Sequence, residues 1–327
     1  MTNSEKHGEI ISYDKDGKIL EIAWYTNGDL DCQLDITDGE HSYYHDPKEQ
    51  IPWQKYTIKD GKPSNEWVIY HGNGQMQEYR KYRKGEKIST WKSWHPDGNL
   101  WWEETYKNGM KNGICRRWRY DKVLEYEGMY KDDKKHGLWV TYYDNGVTEY
   151  IRVYKNNRLT GTEYRYHKET GKLLSTSEHK NNKRHGKFQQ YDWSVKQQKI
   201  VVLDAEYKND NRHGIRKGYF TNGAKWFVSN YIDGIQVDDC TYWQIDGTPK
   251  IVCSYNENGK QEGKWTEYFM DGRKRAEGMM KNGEMDGKWT FWYNTGEKEC
   301  QFKRKDNIFV NATVYHDNGK IKDKFKV

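Results

Sequence analysis

The chain has few of the features that build an ordinary globular core. Hydrophobic residues occupy only 34% of its 327 positions, and Leu, Ile, Val and Phe are scarce. Such scarcity is typical of disordered chains. Disorder is nevertheless disfavoured, because the net charge is only +6 and 27 Tyr with 15 Trp supply the apolar area that the aliphatic residues lack. We therefore expect a thin sheet without a conventional two-layer core.

Long apolar runs and paired cysteines are also missing. No stretch approaches the roughly 20 apolar residues of a membrane-spanning helix, and residues 1–9 contain no apolar signal core. The five cysteines are odd in number, scattered and without a CxxC motif. This pattern favours free thiols in a reducing compartment. We expect a soluble, cytoplasmic protein.

Helical windows are absent as well. Thirty glycines interrupt the chain so often that no segment between turns is long enough for three helical turns. Proline is scarce, with five residues, so little prevents continuous pairing of strands. The sequence therefore predicts an all-β protein.

What the chain does contain is an aromatic residue that returns thirteen times at a period of about 24 residues. Six of the twelve spacings are 24 residues and the others run from 23 to 31. The fifth position of each repeat is Tyr13, Tyr44, Tyr70, Trp94, Trp118, Tyr142, Tyr166, Tyr191, Tyr219, Trp243, Tyr268, Trp292 or Tyr315. A fixed period indicates one small unit stacked on copies of itself.

Each repeat has the pattern of a β-hairpin. An aromatic run leads into an Asn-Gly or Asp-Gly turn, as in Asp144-Asn145-Gly146, and a second run closes on Tyr-Lys-Asn, as in Tyr154-Lys155-Asn156. These dipeptides tolerate the positive φ that tight hairpins need. Position 2, often Trp or Phe, lies on the opposite strand face from position 5. We expect aromatic rings and Lys or Arg stems to stack between neighbouring hairpins on both faces.

The whole chain, residues 1–327, therefore reads as a single array. The repeats are irregular over 9–65, where Pro47 and Pro52 occur, and regular over 66–186. They are irregular again over 187–238, where Ser194-Val195-Lys196 replaces the glycine turn. Regular units and a lysine-rich C-terminal cap occupy 239–327, and charged lysines are typical of protected edge strands. The predicted fold is an elongated, twisted, single-layer antiparallel meander of about thirteen hairpins.

Motifs that carry chemistry are missing. The histidines before glycine, His136, His185 and His213, follow the repeat and are expected to lie too far apart to share a metal ion. Neither HExxH, GxSxG, a P-loop nor a dinucleotide-binding fingerprint occurs. We expect no enzymatic activity, no metal and no cofactor. Nucleic acid is a disfavoured partner, because 55 basic residues face 49 acidic ones.

The repeat unit resembles the MORN repeat in its bacterial variant form. The resemblance is clearest in Gly137-Leu138-Trp139-Val140-Thr141-Tyr142-Tyr143-Asp144-Asn145-Gly146 and in Gly263-Lys264-Trp265-Thr266-Glu267-Tyr268-Phe269. It covers essentially residues 8–327 and implies a hairpin meander. Bacterial chains of this kind resemble YwqK-type antitoxins, which implies binding and neutralising a partner protein. Eukaryotic relatives are linked to phospholipids, dimerisation and scaffolding.

Three functions remain as hypotheses. The first is a non-enzymatic protein-binding scaffold, an antitoxin or immunity-type partner; the second is a module that binds a phospholipid surface; the third is a structural element that self-associates. For the first, aromatic residues in excess of the repeat and an arginine cluster are candidates, because interface hot spots are rich in Trp and Arg. These candidate partner-binding residues are Trp101, Trp102, Arg116, Arg117, Arg119, Trp193, Trp226 and Phe227.

Overall fold

The computed structural model describes residues 8–26, 29–46, 48, 51–193, 200–305 and 308–326, and these residues form β-strands and turns without a helix. No segment in this part of the chain could therefore cross a membrane as a helix. Pro47 and the predicted loss of the glycine turn at Ser194-Val195-Lys196 lie outside the described residues. By contact density the chain divides into two compact units, Met1–Arg158 and Leu159–Val327.

The first unit contains two antiparallel sheets. A three-stranded sheet consists of β1 (Gly8–Tyr13), β2 (Ile19–Thr26) and β3 (Asp29–Gln33). A meander then follows in chain order, with β4 (Gly39–Asp46), β5 (Ile51–Lys59), β6 (Lys62–Tyr70), β7 (Met76–Arg83), β8 (Glu86–Lys87), β9 (Ser89–Trp94), β10 (Leu100–Lys107), β11 (Met110–Trp118), β12 (Leu124–Lys131), β13 (Lys134–Tyr142) and β14 (Thr148–Lys155). The fifteenth strand, β15 (Arg158–Tyr166), begins where this unit ends.

The second unit continues the same antiparallel pattern. Its strands are β16 (Leu173–Lys180), β17 (Lys183–Asp192), β18 (Ile200–Lys208), β19 (Asn211–Arg212), β20 (Gly214–Tyr219), β21 (Lys225–Ile232), β22 (Ile235–Trp243), β23 (Pro249–Tyr255), β24 (Gly263–Tyr268), β25 (Lys274–Lys281), β26 (Glu284–Trp292), β27 (Lys298–Lys305), β28 (Ile308–Tyr315) and β29 (Ile321–Lys326). The predicted fold class, an all-β meander of hairpin repeats, is confirmed.

Aromatic rings stack along one face of the meander, whereas the repeat predicted stacking on both faces. In the first unit Tyr56, Trp67, Tyr82, Trp91 and Tyr106 form a continuous column with ring centroids 4.6, 6.0, 5.1 and 4.8 Å apart. All five rings are buried. Such pairs add about 0.5–1.5 kcal/mol each beyond the area that they bury. This column is the core of a sheet that has few aliphatic residues.

Lysine stems cover aromatic rings of the first unit, both in this column and beyond it. The ammonium group of Lys135 lies 4.2 Å from the ring centroid of Trp139 and 5.4 Å from that of Tyr154. Lys87 caps Trp91 at 4.5 Å in the same way. The methylene groups shield the rings and the charge is attracted to their faces, which explains how a sheet rich in lysine keeps its aromatic core dry.

The position-5 face is organised differently. The hydroxyl of Tyr142 donates a hydrogen bond to Glu127 at 3.0 Å, and the hydroxyl of Tyr315 donates to Gln301 at 3.2 Å. Burial, the carboxylate bond and the nearby charge of Glu127 raise the pKa of Tyr142 to about 12. These tyrosines therefore hold polar side chains on neighbouring strands, and the dense ring stacking belongs to the position-2 face.

The three-stranded sheet packs on the start of the meander, a feature that the repeat pattern did not predict. Ile19, Ile22 and Leu34 join the cluster of buried side chains that contains Tyr56. Glu9 accepts a hydrogen bond from Arg80 at 2.7 Å. Arg80 and Glu9 are both largely buried, and Arg80 also pairs with Glu78, so its buried charge is held between two carboxylates. A second layer therefore covers the first hairpins of this unit.

Most described repeats close with a two-residue turn in which both residues have positive φ. The described turns of this kind are Asp60-Gly61, Lys84-Gly85, Asn108-Gly109, Asp132-Asp133, Asn156-Asn157, Asn181-Asn182, Asn209-Asp210, Asp233-Gly234 and Asn282-Gly283. From Gly85 onward, the second residue of each turn donates its N–H to a carbonyl just after the preceding turn, for example Asn157 to Lys135 at 3.0 Å. This row of bonds, the turn ladder, ties each repeat to the one before it.

Asparagine and aspartate add a second bond to the turn ladder. The side-chain oxygen of Asn157 accepts the N–H of Lys135 at 2.7 Å, and Asp133 does the same for Lys111 at 2.7 Å. An asparagine at positive φ costs less than most residues, and this bond offsets the remaining strain. A turn with Asn or Asp at its second position therefore forms two hydrogen bonds to the preceding repeat, one from its backbone and one through its side chain. A turn with Gly at that position forms only the backbone bond.

Replacing Asn157 with glycine should destabilise the first unit modestly. Glycine keeps the φ of 65° and the backbone bond but loses the side-chain bond to Lys135, which is worth about 0.5–1.5 kcal/mol. Denaturant unfolding followed by tryptophan fluorescence measures the change. Asn156→Gly at the first turn position is the control, because no hydrogen bond of its side chain enters the ladder. An equal loss in both variants would contradict the ladder.

Replacing Gly278 with alanine should destabilise the second unit more strongly. A Cβ atom on Gly278 would lie 2.2 Å from Cδ2 of Trp289, so the buried indole would have to move, at a cost of about 1–3 kcal/mol. Gly72→Ala is the matched control, since its Cβ would meet nothing within 4 Å and its φ is not positive. The midpoint of thermal unfolding should fall for Gly278→Ala and stay close to the parent value for Gly72→Ala.

Candidate functional site

A β-bulge follows the repeated aromatic residue in every hairpin. In the hairpin β13–β14, Tyr142 pairs with Thr148 but Thr141 pairs with Tyr150, so Glu149 is left without a partner in the ladder. Bulges bend the strand and redirect a side chain. One residue per repeat is thus turned away from regular pairing at the same place along the array.

These bulge residues, the bulge column, differ in kind from repeat to repeat. They are Leu20, Trp53, Gln77, Trp101, Glu125, Glu149, Leu174, Val202, Trp226, Lys250, Arg275, Glu299 and Lys322. Aromatic, aliphatic, acidic and basic side chains all occur in this set. The bulge position therefore accepts side chains of every chemical type, and it can be used for recognition.

Two of the predicted partner-binding residues, Trp101 and Trp226, occupy this column. Trp226 is 50% exposed, whereas the next residue, Phe227, is only 4% exposed. The two rings meet edge to face with their centroids 5.2 Å apart, and the centroid of the Phe220 ring lies 6.1 Å from that of Trp226. Trp226 is thus an exposed ring on a buried aromatic support, which fixes its position at small entropic cost on binding.

Three consecutive turns of the second unit extend this surface. Ile245 and Met270 stand two residues after the repeat aromatics Trp243 and Tyr268, and they are 54% and 73% exposed. With Phe220 and Trp226 they line a cleft of about 480 Å³. We call the four residues Phe220, Trp226, Ile245 and Met270 the Trp226 patch. Apolar side chains on neighbouring polar turns are uncommon in solvent without a partner.

Hydrogen bonds between turns hold the Trp226 patch in register. The side-chain amide of Asn222 donates to the carbonyl of Ile245 at 3.2 Å, and Gln244 donates to the carbonyl of Phe269 at 2.8 Å. Each bond joins one turn to the next. The apolar side chains are therefore aligned by a rigid backbone before any partner arrives.

Charged residues form the border of the cleft. Lys250 and Arg275 are the bulge residues of the next two hairpins and line the cleft. Arg275 pairs with Glu267 at 3.0 Å. An apolar centre with a polar border is the usual arrangement of a protein interface.

Trp101 is the centre of a smaller group in the first unit. Its ring lies 5.5 Å from His95, and the Arg117 guanidinium lies 5.7 Å from the ring centroid. His95 also contacts the exposed ring of Tyr120 at 5.0 Å. Arg117 in turn pairs with Glu125 at 3.2 Å. This group is more polar than the Trp226 patch and contains no aliphatic side chain.

The other predicted residues lie apart from these groups and take part in structural contacts. Trp102 packs against the buried cluster of the first unit. Arg116 lies between Glu103 and Glu127, and the hydrogen bonds that it donates to both carboxylates raise its pKa. The side chain of Arg119 lies 3.4 Å from the Tyr142 carbonyl, and Trp193 donates its indole N–H to Leu173 at 2.8 Å. A binding role for these four remains a prediction.

Sequence reasoning missed Phe220, Ile245 and Met270. A signal was present, because Ile245 and Met270 stand at the same repeat position, 25 residues apart, where Gly72 and Asp144 stand in other repeats. It could not be interpreted without the structure, since only the bonds between turns show that these side chains line one cleft with Trp226.

Side chains that could bind a metal ion or act as nucleophiles are either dispersed over the described residues or buried. In the part of the chain that the structure describes, no group of three His, Cys, Asp or Glu residues could hold a metal ion. Cys240 and Cys253 face each other across β22 and β23 as free, buried thiols. The hydrogen bond from Cys253 lowers the pKa of Cys240 and raises that of Cys253. At 1% and 2% exposure these thiols are out of reach of a substrate.

Comparison with known proteins identifies the repeat. The MORN repeat variant family matches residues 6–27, 89–108 and 135–156. No curated protein matches the chain. Similar solved structures include a crystal structure of TcdB2–TccC3–Cdc42, with 10% identity over 96% of this chain and a TM-score of 0.20. Another is a Photorhabdus luminescens Tc holotoxin pore with a mutated TccC3, with 13% identity over 86% of this chain and a TM-score of 0.19.

The likeness to the toxin structures is weak. This chain spans only 20% and 15% of those chains, and at such low TM-scores the likeness supports no argument about function. The family match and the confirmed hairpin meander together indicate a repeat-based binding scaffold.

Proposed function

We propose that this chain is a non-enzymatic scaffold that binds a partner protein through the Trp226 patch. The observation that carries the proposal is that Phe220, Ile245 and Met270 on three consecutive turns, and Trp226 at the start of β21, line one cleft. Trp and Met are enriched at protein interfaces, and aromatic anchors near a pocket contribute most of the binding energy.

The structure of the patch suits a preorganised interface. Buried Phe227 supports Trp226, and the bonds from Asn222 and Gln244 keep the turns in register. Because the patch is already ordered before binding, little of the binding free energy is lost to ordering its side chains. Lys250 at the border of the cleft favours a partner with an acidic group near its apolar contact.

We further propose that the partner is a toxin and that the chain acts as an antitoxin or immunity-type protein. The support is the resemblance of the repeats to the bacterial MORN variant, whose members include YwqK-type antitoxins. We place the protein in the cytoplasm, because its five cysteines are free thiols and such thiols persist in reducing compartments.

Truncation of the patch should release the partner. Tagged parent protein, Trp226→Ala and Met270→Ala are used to capture the partner from the source cell, and the retained proteins are identified by mass spectrometry. Removing an anchor of this kind costs about 2 kcal/mol or more, which weakens affinity roughly 30-fold. We expect one protein to be retained by the parent and lost from both variants.

A matched control separates the patch from general hydrophobicity. Met279→Ala removes the same type of side chain from the same unit, at a residue that is 47% exposed and does not line the cleft. Retention of the partner by Met279→Ala but not by Met270→Ala is expected. Equal retention by all variants would reject the patch as the binding surface.

The antitoxin role is tested with the captured protein itself. Expression of that protein alone in a heterologous host should arrest growth, and co-expression of the parent chain should restore it. Trp226→Ala should fail to restore growth. If the captured protein is harmless by itself, the chain remains a protein-binding scaffold and the antitoxin role is rejected.

A further inference from the structure

The first unit contains a basic groove on the edge formed by the two-residue turns. A cleft of about 570 Å³ lies between the turns Asp60-Gly61 and Lys84-Gly85. A second cleft of about 440 Å³ continues it toward the turn Asn108-Gly109 and shares Lys81, Arg83 and Ile88 with the first. We call the continuous depression the Lys84 groove.

Positive charge dominates the walls of this groove. Six cationic side chains line it against one carboxylate, that of Asp60; the six are Lys59, Lys62, Lys81, Arg83, Lys84 and Lys107. A concave surface with charges of one sign concentrates its field and attracts counter-ions. The groove therefore differs from the chain as a whole, in which 55 basic residues nearly balance 49 acidic ones.

Most of these cations lack an acidic partner. Among the described residues, no carboxylate forms an ion pair with Arg83, Lys84 or Lys107. The ammonium group of Lys62 donates to the backbone carbonyl of Asp16 at 2.5 Å, so its charge is not neutralised. Lys81 lies at the outer limit of an ion pair, 3.9 Å from Glu66. An anion bound in the groove would therefore supply the counter-charge that these groups lack.

Backbone strain at Lys84 points to the same conclusion. Lys84 is the first residue of its turn and has a φ of 51°. At that position every other described turn of this kind has Asn or Asp, residues that tolerate positive φ. A lysine costs more there and forms no compensating bond in the turn. A strained backbone position that stabilises nothing in the fold is typical of functional sites.

The shape of the groove sets the class of ligand. Its floor includes the buried ring of Tyr82 and the side chain of Ile88, and the polar side chains of Ser64 and Asn65 add donors to its wall. Several ammonium groups and one guanidinium suit the oxygens of a phosphate better than a single carboxylate. The volume fits a small molecule or a single headgroup rather than a folded chain.

We propose that the Lys84 groove binds a small ligand that carries at least two phosphate-type negative charges. The site lies in the first unit and does not depend on the protein interface proposed for the Trp226 patch. Lys84 and Arg83 contact the anion from one turn, and Lys59 and Lys62 contact it from the turn before.

Inorganic tripolyphosphate is the probe that tests the groove, with isothermal titration calorimetry on the full chain at low and at moderate salt. The parent should bind one equivalent, more weakly as salt rises. Lys84→Asn, which restores the residue found in other repeats and should fold at least as well as the parent, should weaken binding about tenfold. No binding by the parent would overturn the proposal.

A control variant distinguishes the groove from overall charge. Lys155→Asn removes one positive charge beside an equivalent turn, Asn156-Asn157, in the same unit and outside the groove. It should bind tripolyphosphate within about twofold of the parent, since exposed charges beyond a Debye length of about 10 Å are largely screened. A loss as large as that of Lys84→Asn would show diffuse attraction and reject the site.

The same variants identify the source of the phosphate groups. Phosphatidylcholine vesicles with and without phosphatidylinositol bisphosphate are sedimented with the parent, Lys84→Asn and Lys155→Asn. Binding to the phosphoinositide vesicles that Lys84→Asn alone loses supports a headgroup in the groove. Binding of tripolyphosphate without binding of vesicles supports a soluble phosphate ester. Vesicle binding that is equal in all three proteins would overturn the groove as the site.

Discussion

The stacking of buried aromatic rings on the position-2 face is the interaction on which the sheet depends. Trp139 lies against Gly128 and donates its N–H to the Met129 carbonyl at 3.1 Å, and Trp289 does the same with Gly278 and Met279 at 3.0 Å. The indole fills the space that a side chain on the glycine would occupy. Its N–H gives a hydrogen-bond donor to the carbonyl beside the bulge, where strand pairing is interrupted. In these two repeats the contact holds the Gly and the Trp at the same separation of eleven positions.

The two edges of the meander have different roles because their turns differ. At one edge the turn ladder ties each repeat to the previous one through backbone and Asn or Asp side-chain bonds. At the other edge the bulge beside the repeat aromatic frees one side chain per hairpin. Both candidate sites occur where a repeat has a residue type that differs from the one usual at that repeat position. Apolar Ile245 and Met270 replace polar turn residues at one site, and Lys84 replaces Asn or Asp at the other.

Much of the fold could be predicted from the sequence, because each hairpin is specified by local signals. Asn-Gly and Asp-Gly turns, the alternation of faces and the period of about 24 residues do not depend on distant contacts. The second layer in the first unit could not be predicted in this way. Ile19 and Ile22 have no repeat signature that assigns them to the core around Tyr56, and the ion pair of Glu9 with Arg80 joins residues that are 71 positions apart.

The sequence by itself determined the hairpin unit, its aromatic core and the unusual character of Trp101 and Trp226, because these follow from residue type and spacing. Only the tertiary structure decided which side chains act together. It placed Phe227 beneath Trp226 as a buried support, and it aligned Ile245 and Met270 with Trp226 through bonds between turns. It also joined basic residues of successive turns into one groove. The physical reason is that a surface site depends on how neighbouring repeats are aligned in space. The spacing of residues along the sequence does not specify that alignment.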